Sequence, residues 1–73
     1  MSLAKSDPAR GQRLQAARQA KKLTQQQAAQ QLGCEVASVS RWEMGGVISP
    51  DHLKALCDLY GITAESVVFG LTP

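Results

Sequence analysis

The chain has 73 residues and a formal net charge of +2 at pH 7. A chain of this length forms one domain with a small core. Its mildly basic balance permits a nucleic-acid partner, but one Phe, one Tyr and one Trp exclude an aromatic platform for stacking single-stranded bases.

Two cysteines are too few to staple a domain of this size. Cys34 and Cys57 both lie within apolar patterns, so we interpret them as reduced core thiols of a cytoplasmic protein. No apolar run approaches the roughly 20 residues of a membrane span, and the N-terminus has no apolar signal-peptide core. We therefore expect a cytoplasmic location and no membrane partner.

The first helix is predicted by Asp7 followed by Pro8, an N-cap with proline at the first helical position. We expect the helix to run from Pro8 to about Lys21. Leu14 faces inward, and Arg18, four residues later, lies on the same stripe.

A second helix is predicted in "LTQQQAAQQLG". Thr24 and Gln27 form a capping box, and Gly33 is a typical residue after a helix end. We expect this helix to run from about Gln25 to Leu32. Two turns cannot be stable alone, so it must pack against a neighbour.

The third helix is expected at about Val36 to Met44. The spacing places Val39, Trp42 and Glu43 on one side and Ala37, Ser40 and Arg41 on the other. Two further helices follow the caps Ser49-Pro50 and Thr63, at about Pro50 to Tyr60 and Ala64 to Phe69. No strand pattern competes, so the predicted fold class is all-α with five short helices.

Domain organisation is simple, because the chain contains neither an internal repeat nor a long linker. We expect residues 1–7 to form a flexible N-terminal segment, residues 8–70 the domain and residues 71–73 a C-terminal tail. Helices 2 and 3, joined by the turn "GCE", form a candidate helix-turn-helix, in which the second helix fits the DNA major groove. A generic five-helix bundle without a nucleic-acid partner is the alternative.

Three segments, "LTQQQAAQQLG", "VASVSRWEMG" and "LKALCDLYGITAESVVFG", resemble the Cro/lambda-repressor type of helix-turn-helix domain, the XRE family of bacterial and phage regulators. The resemblance covers about Gly11 to Gly70. It implies a lambda-repressor-like fold of five short helices, in which helices 2 and 3 bind double-stranded DNA.

The resemblance also implies DNA-contacting residues. The base-reading positions correspond here to Val36, Ala37, Ser38 and Arg41. An arginine can bind guanine O6 and N7 bidentately, although Arg41 could instead hold only a phosphate. Val36 and Ala37 could touch a thymine methyl group, and packing in the turn is the alternative for Val36.

Phosphate contacts are expected at four further positions, Gln25, Ser40, Gly46 and Val47. Gly46 and Val47 could offer only backbone N–H groups, where the family often places basic residues. Four basic residues on the surface could add a salt-dependent attraction for the duplex, and scattered surface charges without a role in binding are an equally good interpretation. The four residues are Arg10, Arg13, Lys21 and Lys22.

Trp42 matches a large inward-facing apolar position of the family. Glu43 lies on the same inner side, where an unpaired carboxylate is costly. In the family the corresponding acid belongs to a partly buried ion pair, so we predict a structural salt bridge between Arg18 and Glu43.

A homodimer on a palindromic site is expected from the resemblance. The predicted dimer patch comprises the apolar residues Val47, Ile48, Phe69 and Leu71. The alternative is that Ile48 and Phe69 complete the core of the monomer.

Enzyme activity is not expected. The one histidine, His52, is predicted to be solvated. No nucleophile–base arrangement or glycine-rich phosphate loop is available, and the spacing of Cys34, His52 and Cys57 does not match a zinc site. We therefore expect no catalytic residue, metal or cofactor.

Two functions remain. The first is a sequence-specific DNA-binding transcriptional regulator, a repressor that acts as a dimer. The second is a protein-interaction module of the same fold, such as an antitoxin bound to a toxin, or the DNA-binding head of a larger regulator.

Overall fold

The computed structural model describes residues 6–70, and the regular structure in this range consists of five α-helices. They are α1 (Pro8–Ala20), α2 (Gln25–Leu32), α3 (Val36–Glu43), α4 (Pro50–Tyr60) and α5 (Ala64–Phe69). This is the all-α, five-helix architecture expected from the sequence. Leu71 of the predicted dimer patch lies outside the described residues, as do the tail at 71–73 and residues 1–5.

The helix starts follow local side-chain chemistry. Asp7, Thr24, Ser49 and Thr63 each accept a hydrogen bond from a backbone N–H in the first turn of the helix that follows. Such caps satisfy N–H groups that have no partner within the helix. The predicted ends were one residue too long in two cases, because Lys21 and Met44 are the C-caps of α1 and α3.

The turn between α2 and α3 is built on Gly33, which has a φ of 71°. This left-handed conformation lets the Cys34 N–H donate to the Ala29 carbonyl at 3.0 Å, which closes α2. Glu35, the N-cap of α3, makes no side-chain capping bond. The start of α3 is therefore fixed by the turn and by packing rather than by its own cap.

The core lies between the helices, where α3 and α4 each pack against α1 and α2, and α5 packs against α1 and α4. Ala28 and Ala29 are buried on α2, and their small side chains allow α3 to approach closely. The remaining buried apolar side chains come from α1, α3, α4, α5 and the loop before α4. They are Leu14, Val39, Trp42, Ile48, Leu53, Leu56, Cys57, Tyr60 and Val67.

One predicted member of the dimer patch belongs to this core. Ile48 is 2% exposed, so the prediction that it contributes to an intermolecular surface was wrong. The loop after α3 turns the Ile48 side chain inward just before α4 begins. Its neighbour Val47 is 57% exposed.

α3 also contacts α4 through a ring pair. The centroids of Trp42 and His52 lie 5.0 Å apart, with the rings tilted by 38°. His52 is exposed, as expected, and its Nδ1 lies 2.9 Å from the Ser49 hydroxyl. None of the helices described is long and apolar enough to cross a membrane.

Tyr60 has an unusual hydroxyl. It is buried and has no hydrogen-bond partner among residues 6–70. Burial is the main cause that raises its pKa to about 12, with Glu43 adding to the rise and Arg18 opposing it. The fold therefore favours the neutral phenol.

We expect ultraviolet titration of the single tyrosine to give a midpoint near pH 12 in the folded protein, against about 10 in the unfolded chain. Because the folded state holds the proton more tightly, this stabilisation is complete below about pH 10 and is lost as the pH rises through 12. Tyr60→Phe should remove both the titration and this share of the alkaline destabilisation. A midpoint near 10 in the folded protein would contradict the assignment.

Candidate nucleic-acid interface

α3 has one buried and one exposed face. Val39, Trp42 and Glu43 are buried, whereas Val36, Ala37 and Arg41 are exposed. At 3.6 residues per turn, residues 36, 37, 40, 41 and 44 fall within about 140° of the helix circumference. We call residues 36, 37, 40, 41 and 44 the outer stripe. Four of these residues are exposed and Ser40 is half-buried, so the outer stripe is a mostly solvent-facing surface on a helix of the size that enters a major groove.

The two serines occupy different places on this surface. Ser40 is half-buried within the outer stripe, between Val36 and Met44. Ser38 is half-buried at its edge, and its hydroxyl accepts a long hydrogen bond of 3.4 Å from Arg41 Nη2. Ser38 is therefore placed to orient the Arg41 fork.

The sequence analysis named Met44 only as a helix end and not as a member of the exposed surface. It is 77% exposed and ends the outer stripe. Together with Ser6, Arg41 and Val47 it lines an open cleft of about 510 Å³ beside the end of α3. The helical spacing does indicate this position, because Met44 lies three residues after Arg41 and seven after Ala37.

Arg18 and Glu43 form a two-bond ion pair in the interior. Arg18 Nε lies 2.6 Å from Glu43 Oε2, and Arg18 Nη2 donates to Glu43 Oε1 at 3.1 Å. The hydrogen bond to Glu43 raises the pKa of Arg18, against an opposing effect of burial. Both residues are buried, so the pair connects α1 to the last residue of α3 in a water-poor environment.

Two further bonds surround this pair. Arg18 Nη1 donates to the Leu23 carbonyl at 2.7 Å, and Gln25 Nε2 donates to Glu43 Oε1 at 3.1 Å. Gln25 is the first residue of α2, so α1, α2 and α3 are joined at one point. Its predicted phosphate contact stays a prediction, with one of the two amide hydrogens already bonded to Glu43.

Gly46 does not offer the free backbone donor that was predicted for phosphate binding. Its N–H donates to the Arg41 carbonyl at 2.9 Å, and its carbonyl accepts from Arg10 Nη2 at 3.0 Å. Both backbone polar groups of Gly46 are therefore bonded within the chain, so the prediction that its N–H binds a phosphate was wrong. Val47 is exposed and lines the cleft beside Arg41, where its predicted contact remains open.

Two arginines expected to attract the duplex instead bind main-chain carbonyls. Arg10 is 1% exposed, although it was predicted to lie on the surface. Arg13 Nη1 donates to the carbonyls of Val67 and Val68, at 2.9 and 3.3 Å, near the end of α5. Long-range contacts draw both side chains across the protein, and the sequence pattern alone did not reveal them.

A second surface lies between α4 and α5. It is a groove of about 450 Å³, and its lining includes the apolar residues Leu53, Cys57, Ile62 and Val68. Exposed Lys54 and Asp58 also line it, one turn apart on α4. Phe69, 55% exposed, follows Val68 on α5.

We expect Arg18→Met and Glu43→Leu each to lower the free energy of unfolding by about 3–5 kcal/mol, because each leaves the other charge buried and unpaired. The double variant should lose less than the sum of the two. Urea unfolding measures all three, and Arg41→Ala, which removes an exposed arginine, serves as the control, with a change within about 0.5 kcal/mol. Near-neutral single variants would show that the pair does not hold the helices together.

Comparison with known proteins is consistent with this geometry. A model of the helix-turn-helix domain family matches residues 11–67, which span all but the ends of the five-helix unit. A search of curated proteins gave no match. The chain therefore belongs to the helix-turn-helix domain family and carries, in α2 and α3, that family's DNA-binding unit.

Proposed function

We propose that the protein is a sequence-specific, double-stranded DNA-binding transcriptional regulator of the Cro/lambda-repressor (XRE) type, and that it represses. The observation that carries the proposal is the division of α3. Its inner face is anchored by Trp42 and Glu43, while Val36, Ala37 and Arg41 face solvent on an adjoining stripe. A short helix held in this way is rigid enough to place side chains against base edges.

Arg41 carries the polar recognition. Its guanidinium donates bidentately to guanine O6 and N7 in the major groove, with Ser38 steadying the fork from one side. Val36 and Ala37 contact thymine methyl groups, so the site read by α3 combines a guanine with neighbouring thymines. Ser40, within the outer stripe, is left for a phosphate or a base edge.

Phosphate contacts come from the start of α2 and from the loop that follows α3. The Thr24–Gln27 capping box uses the N–H groups of the N-cap and of the third helical residue. The first N–H groups of α2, at Gln25 and Gln26, then remain for an anion at the positive end of the helix. Val47, exposed in the loop after α3, adds its backbone N–H.

Repression follows if two copies cover a promoter. In a dimer, each α3 reads one half-site of a palindrome, with the half-sites about one helical turn apart. This function requires no cofactor and no catalytic group.

We place the dimer surface at α5. Phe69 is exposed and directly follows Val68, which lines the apolar groove, and Lys54 and Asp58 give that groove one charge of each sign. A two-fold axis brings Lys54 of each copy to Asp58 of the other and Phe69 of each copy to the opposite groove. Such a contact is self-complementary and closes at two copies.

The same groove favours one alternative. An apolar groove is also the kind of surface that takes a partner protein, as in an antitoxin bound to its toxin, or another part of a larger regulator. In that case α5 engages the partner, and DNA binding by α3 is weak or absent.

We expect selection from a random duplex library to enrich a palindrome, and Arg41→Ala to lose about 1–3 kcal/mol of discrimination at one base pair of each half-site. Arg41→Lys is the matched control. It keeps the charge, and hence the salt dependence of binding, but it loses the bidentate fork. Fluorescence anisotropy titration over a range of salt concentrations separates the two effects.

Equal losses on all duplexes would assign Arg41 to phosphate rather than to a base. No enrichment at low salt would refute the DNA-reading function and favour the protein-interaction alternative.

Phe69→Ala should shift the protein from dimer to monomer and weaken palindrome binding, because it removes the side chain that enters the opposite groove. Gln15→Ala is the control, since Gln15 is exposed on α1 and belongs neither to the predicted dimer patch nor to the predicted DNA contacts. Sedimentation velocity with and without the selected duplex measures both. A wild-type protein that stays monomeric in both conditions would rule out the dimer.

A further inference from the structure

The start of α1 is bonded to the loop that follows α3. The Asp7 N–H donates to the Gly45 carbonyl at 2.7 Å, and Arg10 Nη2 donates to the Gly46 carbonyl at 3.0 Å. We call these four residues, Asp7, Arg10, Gly45 and Gly46, the clasp. It joins segments that are 36 residues apart in the chain.

The two backbones in this region touch. A Cβ atom at Gly11 would meet the Glu43 carbonyl and lie 2.6 Å from the Gly45 nitrogen. No side chain other than hydrogen fits there without displacing main-chain atoms. The glycine in α1 therefore allows the close approach, and the clasp fixes its register.

Arg10 is the charged member of the clasp and is 1% exposed. An arginine side chain carries a positive charge, so a cation is buried here. A buried cation is tolerated only where it is hydrogen-bonded, and a charged donor makes a stronger bond than a neutral one. The Gly46 carbonyl is thus held by a strong donor.

Gly46 connects Arg10 to Arg41 through hydrogen bonds. Its own N–H donates to the Arg41 carbonyl at 2.9 Å, so one peptide segment is held by Arg10 on one side and closes the last turn of α3 on the other. Ser6, just before α1, lines the same cleft as Arg41. The start of α1 and the last turn of α3, which carries Arg41, are therefore joined to each other.

We propose that Arg10 is a positioning residue for DNA recognition. Through Gly46 it sets the direction of the last turn of α3, and with it the Arg41 fork, without touching DNA itself. This inference rests on the proposed DNA-reading function. A bidentate contact tolerates only about 0.5 Å and 10–20° of misplacement, so loosening this turn lowers discrimination before it unfolds the domain.

The test is a double-variant cycle with Arg10→Met and Arg41→Ala, measured by anisotropy on the duplex selected by the wild type. Arg10→Met keeps an unbranched, flexible side chain, although a shorter one, and removes the guanidinium donors. It should weaken binding to that duplex about tenfold, with the salt slope unchanged because no phosphate contact is lost. In the Arg41→Ala background the effect should fall below about twofold.

Arg13→Met is the matched control. Arg13 also lies on α1 and binds carbonyls, but its bonds reach the end of α5 instead of the α3 loop. We expect its affinity loss, if any, to be the same with and without Arg41. A loss from Arg10→Met that is equally large in the Arg41→Ala background would overturn the positioning role.

Hydrogen exchange of the Gly46 amide tests the clasp without DNA. The exchange should become about tenfold faster in Arg10→Met while the α2 amides keep their protection. Unchanged Gly46 exchange would overturn the positioning role of Arg10 and would leave the proposed DNA-reading function untouched. If Arg10→Met does not fold, Gly46→Ala replaces it in the cycle, because its Cβ would press on the Arg41 carbonyl. If the wild type selects no duplex, the proposed function fails, and the positioning role fails with it.

Discussion

The buried ion pair between Arg18 and Glu43 is the interaction on which the outer stripe of α3 depends. Arg18 belongs to α1, Glu43 ends α3, and Gln25 joins the pair from the start of α2. Burying two charges has a desolvation cost that their attraction offsets only with good geometry and further hydrogen bonds. The Leu23 carbonyl and the Gln25 amide supply those bonds, so the pair contributes a defined arrangement of three helices more than it contributes net stability.

α3 needs such support because it is short. Eight residues form an unstable helix in isolation, and Glu35 provides no side-chain cap. The helix is therefore held by its neighbours on two sides of its last turn. Glu43 is bonded inward to Arg18, and the Arg41 carbonyl is bonded through Gly46 to the start of α1. Arg41 carries one of these attachments on its own carbonyl and lies two residues before the other, so its backbone is held at two neighbouring points.

Local chemistry made most of the fold predictable. Asp7 and Thr24 cap helices through bonds three residues away, and Gly33 ends α2 by its own conformation, so the sequence nearby contains the whole signal. Ile48 and Arg10 were misassigned because their positions depend on segments far along the chain. For Arg10, the sequence did contain an indication. Gly11 inside a helix is a local cost that becomes understandable once another backbone approaches, and it pointed to the contact that buries Arg10.

The internal use of arginine changes how the modest net charge is to be understood. Arg10 and Arg13 bind main-chain carbonyls, and Arg18 is paired with Glu43, so three of the eight basic residues hold helices together. Their charge contributes less to the attraction of a duplex than its count indicates, because it is directed inward. A surface with few outward cations gains little from counterion release, so the proposed DNA recognition relies on contacts in the groove. Such contacts depend on side-chain placement, which is the property that the attachments of α3 secure.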